Sequence, residues 1–270
     1  LRQPGHDTGP RRQRGRRPAP RGADAGGLRR VRVEHVEIVE RFRGPPRSGN
    51  GGYTCGRVAA HLTGPVAVRL KAPPPLLTGL RLESTDVAAR LFHDSALIAE
   101  ARCAPLDLEA PPVPSRSAAE AASRNFAGFH AHAFPGCFVC GPARDDGLRI
   151  FPGDVGNGGP AGLIAAPWTP EASLAGPTGT VRPEFLWSAL DCPGAFAVLP
   201  PDGSIAIVLG ELCAEIAGKL RPGEPCVVTA WPLGVDGRKH FAGSAVYGGD
   251  GRLVARARAV WIAVPLAAWN

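Results

Sequence analysis

The sequence predicts an α+β protein made of two similar halves, in which each half joins one apolar helix to a set of antiparallel strands. One apolar segment follows Asn-Gly-Gly at 50–52, and a second follows Arg-Pro-Glu at 182–184. Each segment precedes roughly fifty to seventy residues of alternating apolar and polar side chains broken by turns, and a repeat of this period is typical of a duplicated domain. Two such units placed side by side would also pair each other's open sheet edges.

The first half is assigned to residues 31–104. Its alternating pattern predicts a strand over 31–42, and a run of small and apolar residues predicts a helix over 51–62, which Gly64-Pro65 would end. Further alternation between turn residues predicts four strands, at 66–71, 80–83, 88–92 and 97–102. Pro-rich residues and a short helix over 118–125 follow, and we assign residues 105–133 to a linker.

The second half is assigned to residues 134–270 and repeats this order. A helix begins near 180–183 and carries a lone carboxylate, Asp191, within its apolar part. Pro193 lacks the N–H that would bond the carbonyl of Ala189, so a kink or break is predicted beside that carboxylate. Alternation predicts strands before and after this helix, at 148–151, 163–166, 205–216, 226–233, 240–247 and 252–262.

The net charge of +7 lies outside this folded body. Residues 1–30 contain nine Arg and two Asp, so residues 31–270 carry 22 basic and 22 acidic side chains. A neutral body gives no indication of a nucleic-acid groove, and no apolar run reaches the about 18 residues that span a bilayer. Residues 1–30 are poor in apolar side chains and rich in Pro, Gly and Arg, which predicts a disordered leader; a basic arm for nucleic acid or anionic lipid is the alternative.

Seven cysteines without an export signal indicate free thiols in a reducing compartment, so a cytoplasmic protein is expected. Cys137 and Cys140 form a CxxC pair with His130 and His132 just upstream, which leaves a zinc-stabilised interaction protein as one reading. The spacing of these four residues is unlike that of the common zinc fingers. We therefore expect neither a metal nor a cofactor.

Two motifs in the second half carry a resemblance to a known family. Cys-Phe-Val-Cys-Gly-Pro at 137–142, followed by Gly147-Leu148, resembles the CFxCG…GL opening of hotdog-fold thioesterases that act on phenylacetyl-CoA and similar acyl-CoA esters. The segment from Phe185 to Asp191 resembles the central helix of that family, where a carboxylate stands seven residues after a His-Gly-Gly. The resemblance implies a tandem, or double, hotdog in which two antiparallel sheets each wrap a central helix as a pseudo-dimer.

The resemblance also implies one composite site. In homodimeric members, the glycine N–H and the carboxylate of a site come from opposite subunits. Here Gly51 and Gly52 match the glycine pair of the first half, and Asp191 matches the carboxylate of the second. The reciprocal site is lost, because Ala59 stands where the first carboxylate should be and Arg-Pro-Glu at 182–184 replaces His-Gly-Gly.

The expected function is hydrolysis of an acyl-CoA-type thioester. Exposed N–H groups of Gly51 and Gly52 at a helix start would stabilise an oxyanion, and Asp191 would act as general base or nucleophile. We expect Asn50, Tyr53 and Trp187 to contact the substrate. The partner is a small acyl thioester, with no nucleic acid or membrane, and the protein is a possible homo-oligomer.

Three alternatives remain open at this point. A non-catalytic acyl-thioester or lipid-binding hotdog module would also lose half of the catalytic residues. A dehydratase of 3-hydroxyacyl thioesters has the same fold in this family, but its usual His is missing from the matching helix position. The zinc-stabilised interaction protein is the third.

Overall fold

The computed structural model describes residue 1 and residues 31–156, 161–200 and 203–268. The predicted leader, residues 1–30, therefore lies almost wholly outside the described part. Three α-helices occur in the described part: α1 (Gly51–Val58), α2 (Arg116–Ser123) and α3 (Pro183–Val198). Within these ranges, no helix is both long enough and apolar enough to cross a membrane.

Eleven strands are described, and the α+β class is confirmed. The strands of the first half are β1 (Arg32–Val36), β2 (Val66–Leu70), β3 (Leu80–Ser84), β4 (Ala88–His93) and β5 (Ala96–Cys103). Those of the second half are β6 (Gly153–Asp154), β7 (Ile164–Trp168), β8 (Ile205–Ile216), β9 (Cys226–Asp236), β10 (Lys239–Tyr247) and β11 (Leu253–Pro265). The four strands predicted after the first helix, α1, are confirmed, and so are the four predicted after the second apolar helix, α3.

All eleven strands form a single antiparallel sheet, whereas two sheets were expected. The order is β1-β3-β4-β5-β2-β8-β11-β10-β9-β7-β6. The two halves meet where β2 pairs with β8 from Val66–Ala214 to Arg69–Glu211, and the last pair adds an ion pair of 2.8 Å. An unpaired edge is costly, and this pairing removes one edge from each half. Outward from this seam, the first half runs β2-β5-β4-β3-β1 and the second runs β8-β11-β10-β9-β7 in the matching order.

The helices α1 and α3 cross on one face of the sheet at very short range. A Cβ atom on Gly52 would lie 2.6 Å from the Trp187 carbonyl oxygen, and one on Gly56 would lie 2.5 Å from Cα of Glu184. Only glycine allows backbones to approach this closely, although glycine is a poor helix former. Two glycines four residues apart on one helix face therefore set the contact that brings the halves together.

Three predicted secondary-structure elements are wrong: one strand does not form, and one strand and one helix end earlier than predicted. No strand forms at 148–151, because Leu148 and Ile150 donate their backbone N–H groups to the carbonyls of Phe138 and Val139 in a loop rather than to the sheet. The strand over 31–42 ends at Val36 and gives way to a 3-10 turn at Glu40–Phe42. The first helix ends at Val58 rather than at 62.

Of the kink or break predicted at Pro193, the break does not occur. The α3 helix continues through Pro193 to Val198. A proline inside a helix costs about 3 kcal/mol, but ten consecutive residues of α3, from Phe185 to Gly194, are buried. Most helical stability in proteins comes from such packing rather than from local preference. The Ser244 hydroxyl also donates a 2.7 Å hydrogen bond to the Leu190 carbonyl, one residue after the carbonyl that lacks its partner.

Substitution of Gly56 tests the helix crossing. We expect Gly56→Ala to lower the free energy of unfolding by about 1–3 kcal/mol, because the new methyl group overlaps the backbone of Glu184. Urea unfolding measures the loss. Gly79→Ala is the matched control, because a Cβ at Gly79 meets nothing within 4 Å. A Gly56→Ala protein as stable as the control would contradict the close crossing.

Candidate functional site

The start of α1 and the middle of α3 meet at one buried carboxylate. Asn50 caps α1, and its side-chain oxygen accepts the N–H of Tyr53 at 2.9 Å. The amide nitrogen of the same side chain donates to Oδ2 of Asp191 at 2.9 Å. The backbone N–H of Gly52 donates to the same oxygen at 2.8 Å. Asn50 and Asp191 are each only 2% exposed, so the first half holds the carboxylate of the second half away from solvent.

The other oxygen of this carboxyl group is left without a partner. Oδ1 of Asp191 is buried and receives no hydrogen bond within the described part of the chain. Burial raises the pKa of Asp191 from 3.8 to about 7, against the opposing effects of the Gly52 N–H and the Asn50 amide. Negative charge on Cys137 raises this pKa further. A carboxyl group that exchanges its proton near neutral pH, with one oxygen free, is suited to general-base chemistry.

A cavity of about 290 Å³ adjoins this carboxylate. Asn50, Gly51 and Asp191 lie on its wall, beside the predominantly apolar side chains of Ala195, Phe196, Leu199, Ile207, Leu209 and Trp261. Ligand sites in proteins are commonly concave and apolar, with a few polar groups that fix orientation. The cavity has this character, since its wall combines a buried acid with the first residue of a helix.

Three buried thiols lie next to the acid. The sulfur atoms of Cys137, Cys140 and Cys192 all lie within 4.8 Å of one another, and those of Cys137 and Cys192 are 3.6 Å apart. Hydrogen bonds from the Cys140 and Cys192 thiols lower the pKa of Cys137 well below its ordinary value, and they outweigh the effect of burial. Cys55, on α1, has its pKa raised, first by burial and then by the charge of Asp191.

Sequence reasoning placed Tyr53 and Trp187 at the substrate, but neither lines the cavity. Tyr53 is 2% exposed and stacks on Phe42 with ring centroids 4.2 Å apart. Trp187 is 3% exposed and packs against Gly56 at the helix crossing. Both side chains point into the core because they lie on the α1–α3 contact rather than on the side that faces the cavity. They stabilise the halves against each other, and we leave them out of the site.

The cavity wall includes two aromatic residues that could not be identified from the sequence. Phe196 lies five residues after Asp191 on α3, and Trp261 reaches the cavity from β11. The indole N–H of Trp261 is buried without a hydrogen-bond partner in the described ranges. Cys192 carried a weak signal in the sequence, because it directly follows Asp191. Nothing along the chain connected it to the CxxC pair.

Gly52 does not offer its N–H to a ligand, because that N–H is bonded to Asp191. Gly51 is the first residue of α1, where a backbone N–H has no acceptor within the helix, and it lines the cavity.

At the reciprocal position Ala59 caps the end of α1, and the Glu184 carboxylate lies 3.4 Å from the Arg182 guanidinium. The structure therefore brings together Asn50, Gly52 and Asp191, whereas the reciprocal position has Ala59 in place of a carboxylate.

Comparison with known proteins gives the fold. No protein-family model matches the sequence, and a search of curated proteins finds no match. Solved structures do match. A proposed thioesterase from Novosphingobium aromaticivorans is 15% identical with a TM-score of 0.56, over 85% of this chain and 94% of that protein. A proposed thioesterase II from Thermobifida fusca is 16% identical with a TM-score of 0.55, over 86% of this chain and 92% of that one. The predicted resemblance to thioesterases is thus confirmed at the level of the fold.

The buried acid predicts a pH dependence of stability. The folded protein keeps the Asp191 proton up to about pH 7, whereas the ordinary pKa of this group is 3.8. The folded state binds more protons in this window, so this group's stabilising contribution is greatest in acid and is lost as pH rises toward its folded pKa. The Asp191→Asn variant lacks this titrating group. Its free energy of unfolding minus that of wild type should therefore increase by about 2–3 kcal/mol when the pH is raised from about 5 to about 8.

Urea unfolding of both proteins at the two pH values measures this difference. The buffers contain a metal chelator, because a cation held by the neighbouring thiols would lower the pKa of the acid. Gly79→Ala is the control, because it removes no titratable group and its added Cβ meets nothing within 4 Å, so its difference from wild type should stay constant with pH. A difference between wild type and Asp191→Asn that stays constant with pH would show that the acid titrates normally.

Proposed function

We propose that this chain hydrolyses acyl-CoA-type thioesters at one composite site between its two halves. One observation carries the proposal. A buried carboxylate from α3 is held by Asn50 and Gly52 of the first half, and it adjoins an apolar cavity with one oxygen unpartnered. Hydrolysis of a thioester needs a base or nucleophile, an oxyanion donor and a place for the acyl group. All three functions can be assigned to residues on this cavity wall.

The proposed architecture is a tandem double hotdog that acts as a pseudo-dimer. The matching strand order of the two halves, read outward from the β2–β8 seam, supports this assignment. The position of the helices in the chain also supports it. The helix α1 lies between β1 and β2, and α3 lies between the matching strands β7 and β8. Duplication explains why one site can be complete while its reciprocal is not: the Ala59 position lost its carboxylate without affecting the Asp191 position.

In the proposed mechanism, two hydrogen bonds hold the Asp191 carboxyl group in one orientation. Asn50 and Gly52 bind Oδ2 and fix the plane of the carboxyl group, which leaves Oδ1 as the reactive oxygen. Oδ1 takes a proton from a water that attacks the thioester carbonyl carbon, or attacks that carbon itself. In the first route the C–S bond then breaks, and the sulfur leaves as a thiol with the proton that Asp191 took from the water. In the second route the C–S bond breaks as an acyl–Asp191 anhydride forms, the sulfur takes its proton from solvent, and a water then hydrolyses the anhydride and restores Asp191. Gly52 thus serves as a positioning residue, which corrects its expected role as an oxyanion donor.

The oxyanion role falls to Gly51. Its N–H stands at the positive end of the α1 dipole and on the cavity wall, so it can donate to the carbonyl oxygen as negative charge develops. The acyl group then lies against Phe196 and Leu209, where apolar area is buried. This placement favours an acyl group that is itself apolar, whether a chain or a ring. The base, the oxyanion donor and the place for the acyl group are thus all assigned to residues of the cavity wall.

The competing function is a binding module that keeps the cavity and performs no chemistry. One specific observation favours it: Gly52 donates to Asp191 instead of to the cavity, which leaves a single glycine N–H for the oxyanion. A binding module and a hydrolase share the same walls. They differ in what Asp191 does.

Asp191→Asn separates the two functions. For a hydrolase we expect turnover to fall by about 10²-fold or more, because the amide cannot accept the proton. The measurement is thiol release from short, long and aromatic acyl-CoA esters. Glu184→Gln, at the vacated reciprocal position, should retain wild-type turnover. Equal turnover by wild type and Asp191→Asn would remove the mechanism. Ester binding without turnover in either protein would establish the binding module instead.

A further inference from the structure

A second chemical feature on the cavity wall is the turn at Cys-Phe-Val-Cys-Gly, residues 137–141. The Gly141 N–H donates to the Cys137 carbonyl at 2.9 Å, and a Cβ on Gly141 would lie 2.5 Å from backbone atoms of Cys137, so the turn requires glycine there. This turn holds Cys137 and Cys140 close together, so that two sulfur atoms of one short segment can face the same ion.

The third thiol comes from a different element. Cys192 lies on α3, 52 positions beyond Cys140 in the chain, and its sulfur is 3.6 Å from that of Cys137. A zinc–sulfur bond of about 2.3 Å places the ligand sulfurs of a tetrahedral site about 3.8 Å apart. All three sulfurs lie within 4.8 Å of one another, so sub-ångström to ångström side-chain adjustments would give this geometry. A disulfide would instead require two of the sulfurs to approach to about 2.05 Å.

The groups around the sulfurs suit bound thiolates. The Asn50 amide nitrogen lies 3.8 Å from the Cys137 sulfur and 3.7 Å from the Cys192 sulfur, so it can donate to either. Outer partners of this kind orient metal ligands and tune affinity. The same Asn50 amide binds Asp191, which links the thiol cluster to the proposed catalytic acid through one side chain.

The histidines that the sequence placed beside the CxxC are not in the cluster. His132 uses Nε2 on the Cys140 carbonyl oxygen at 3.1 Å and accepts the Phe134 N–H with Nδ1 at 2.9 Å. His130 is exposed. The donor set differs from the one considered from sequence, because its third member is Cys192 rather than a histidine.

We propose that Cys137, Cys140 and Cys192 bind one zinc-class metal ion, with the fourth coordination position directed to the cavity. Three protein ligands and one exchangeable position are the pattern of an open zinc site. All three cysteines lie on the cavity wall, which gives the ion a route of entry. Binding releases the thiol protons, and the cation offsets the negative charge that the thiolates and Asp191 would otherwise bring together.

The ion would join the 137–141 turn to α3 immediately beside the acid. Its open position can take a water or the sulfur of a thiol-containing ligand, because soft thiolates are preferred ligands of such ions. The inference does not rest on thioester hydrolysis. A binding module with the same cavity would hold the ion equally well, and Asp191 is outside the set of mutually close donors.

The test uses the full chain, reduced and stripped of metal with a chelator. Co²⁺ is titrated while the sulfur-to-cobalt charge-transfer absorption is followed, Zn²⁺ then competes, and elemental analysis after dialysis gives the stoichiometry. We expect one ion per chain for wild type. Cys192→Ser should bind at least about 10-fold more weakly, since loss of even an outer partner of a metal site costs that much. Cys103→Ser is the control, because this thiol is exposed and outside the cluster, and should match wild type.

Several results would overturn the site. Absence of the charge-transfer band in wild type would do so, as would Cys192→Ser binding as tightly as Cys103→Ser. Circular dichroism confirms that each variant folds, and Cys140→Ser replaces Cys192→Ser if the latter does not. Asp191→Asn separates the two proposals: it should still bind one ion even though turnover is lost. Loss of turnover with no metal in any variant would retain the hydrolase and remove the metal site.

Discussion

The contact between Asp191 of α3 and the start of α1 is the interaction on which the rest of the site depends. A carboxylate at 2% exposure must be compensated by hydrogen bonds, and both of its donors come from the opposite half, at 2.9 Å and 2.8 Å. The donors reach it only because Gly52 lets the helix backbones approach to a distance that no side chain would allow. Helix packing, the position of the acid and its raised pKa thus have one common cause.

That arrangement also explains why the cavity lies where it does. The acid and the α1 start form one wall, and the aromatic and aliphatic side chains of α3, β8 and β11 form another. Because Asn50 touches the acid and two of the thiols, a change in any one of these groups alters the electrostatics of the others. Among the described residues, the reciprocal position has Ala59 and an Arg182–Glu184 ion pair but no such network, which is consistent with a single proposed site per chain.

Much of this could be predicted from the sequence, for identifiable reasons. Alternation and turn residues located most strands, and the complementary loss of glycines and carboxylate between the halves pointed to Gly52 and Asp191 as neighbours. Local rules failed where tertiary packing decided: Pro193 lies within a continuous helix because its surroundings are buried, and the apolar run at 148–151 binds a loop instead of the sheet. The thiol cluster and the Trp261 wall could not be predicted, since both join residues whose proximity only the fold creates.

The central claim is that the two halves share one hydrogen-bonded site, and a double-mutant cycle between Asn50→Ser and Asp191→Ala tests it most directly. Serine keeps the helix cap and loses the amide donor, so the cycle isolates the contact with the acid. Unfolding free energies are measured at about pH 8, above the pKa of Asp191, in the presence of a chelator. The account predicts a coupling of about 1.5 kcal/mol or more, as for hydrogen bonds to charged groups. Effects that add to within about 0.5 kcal/mol would contradict it.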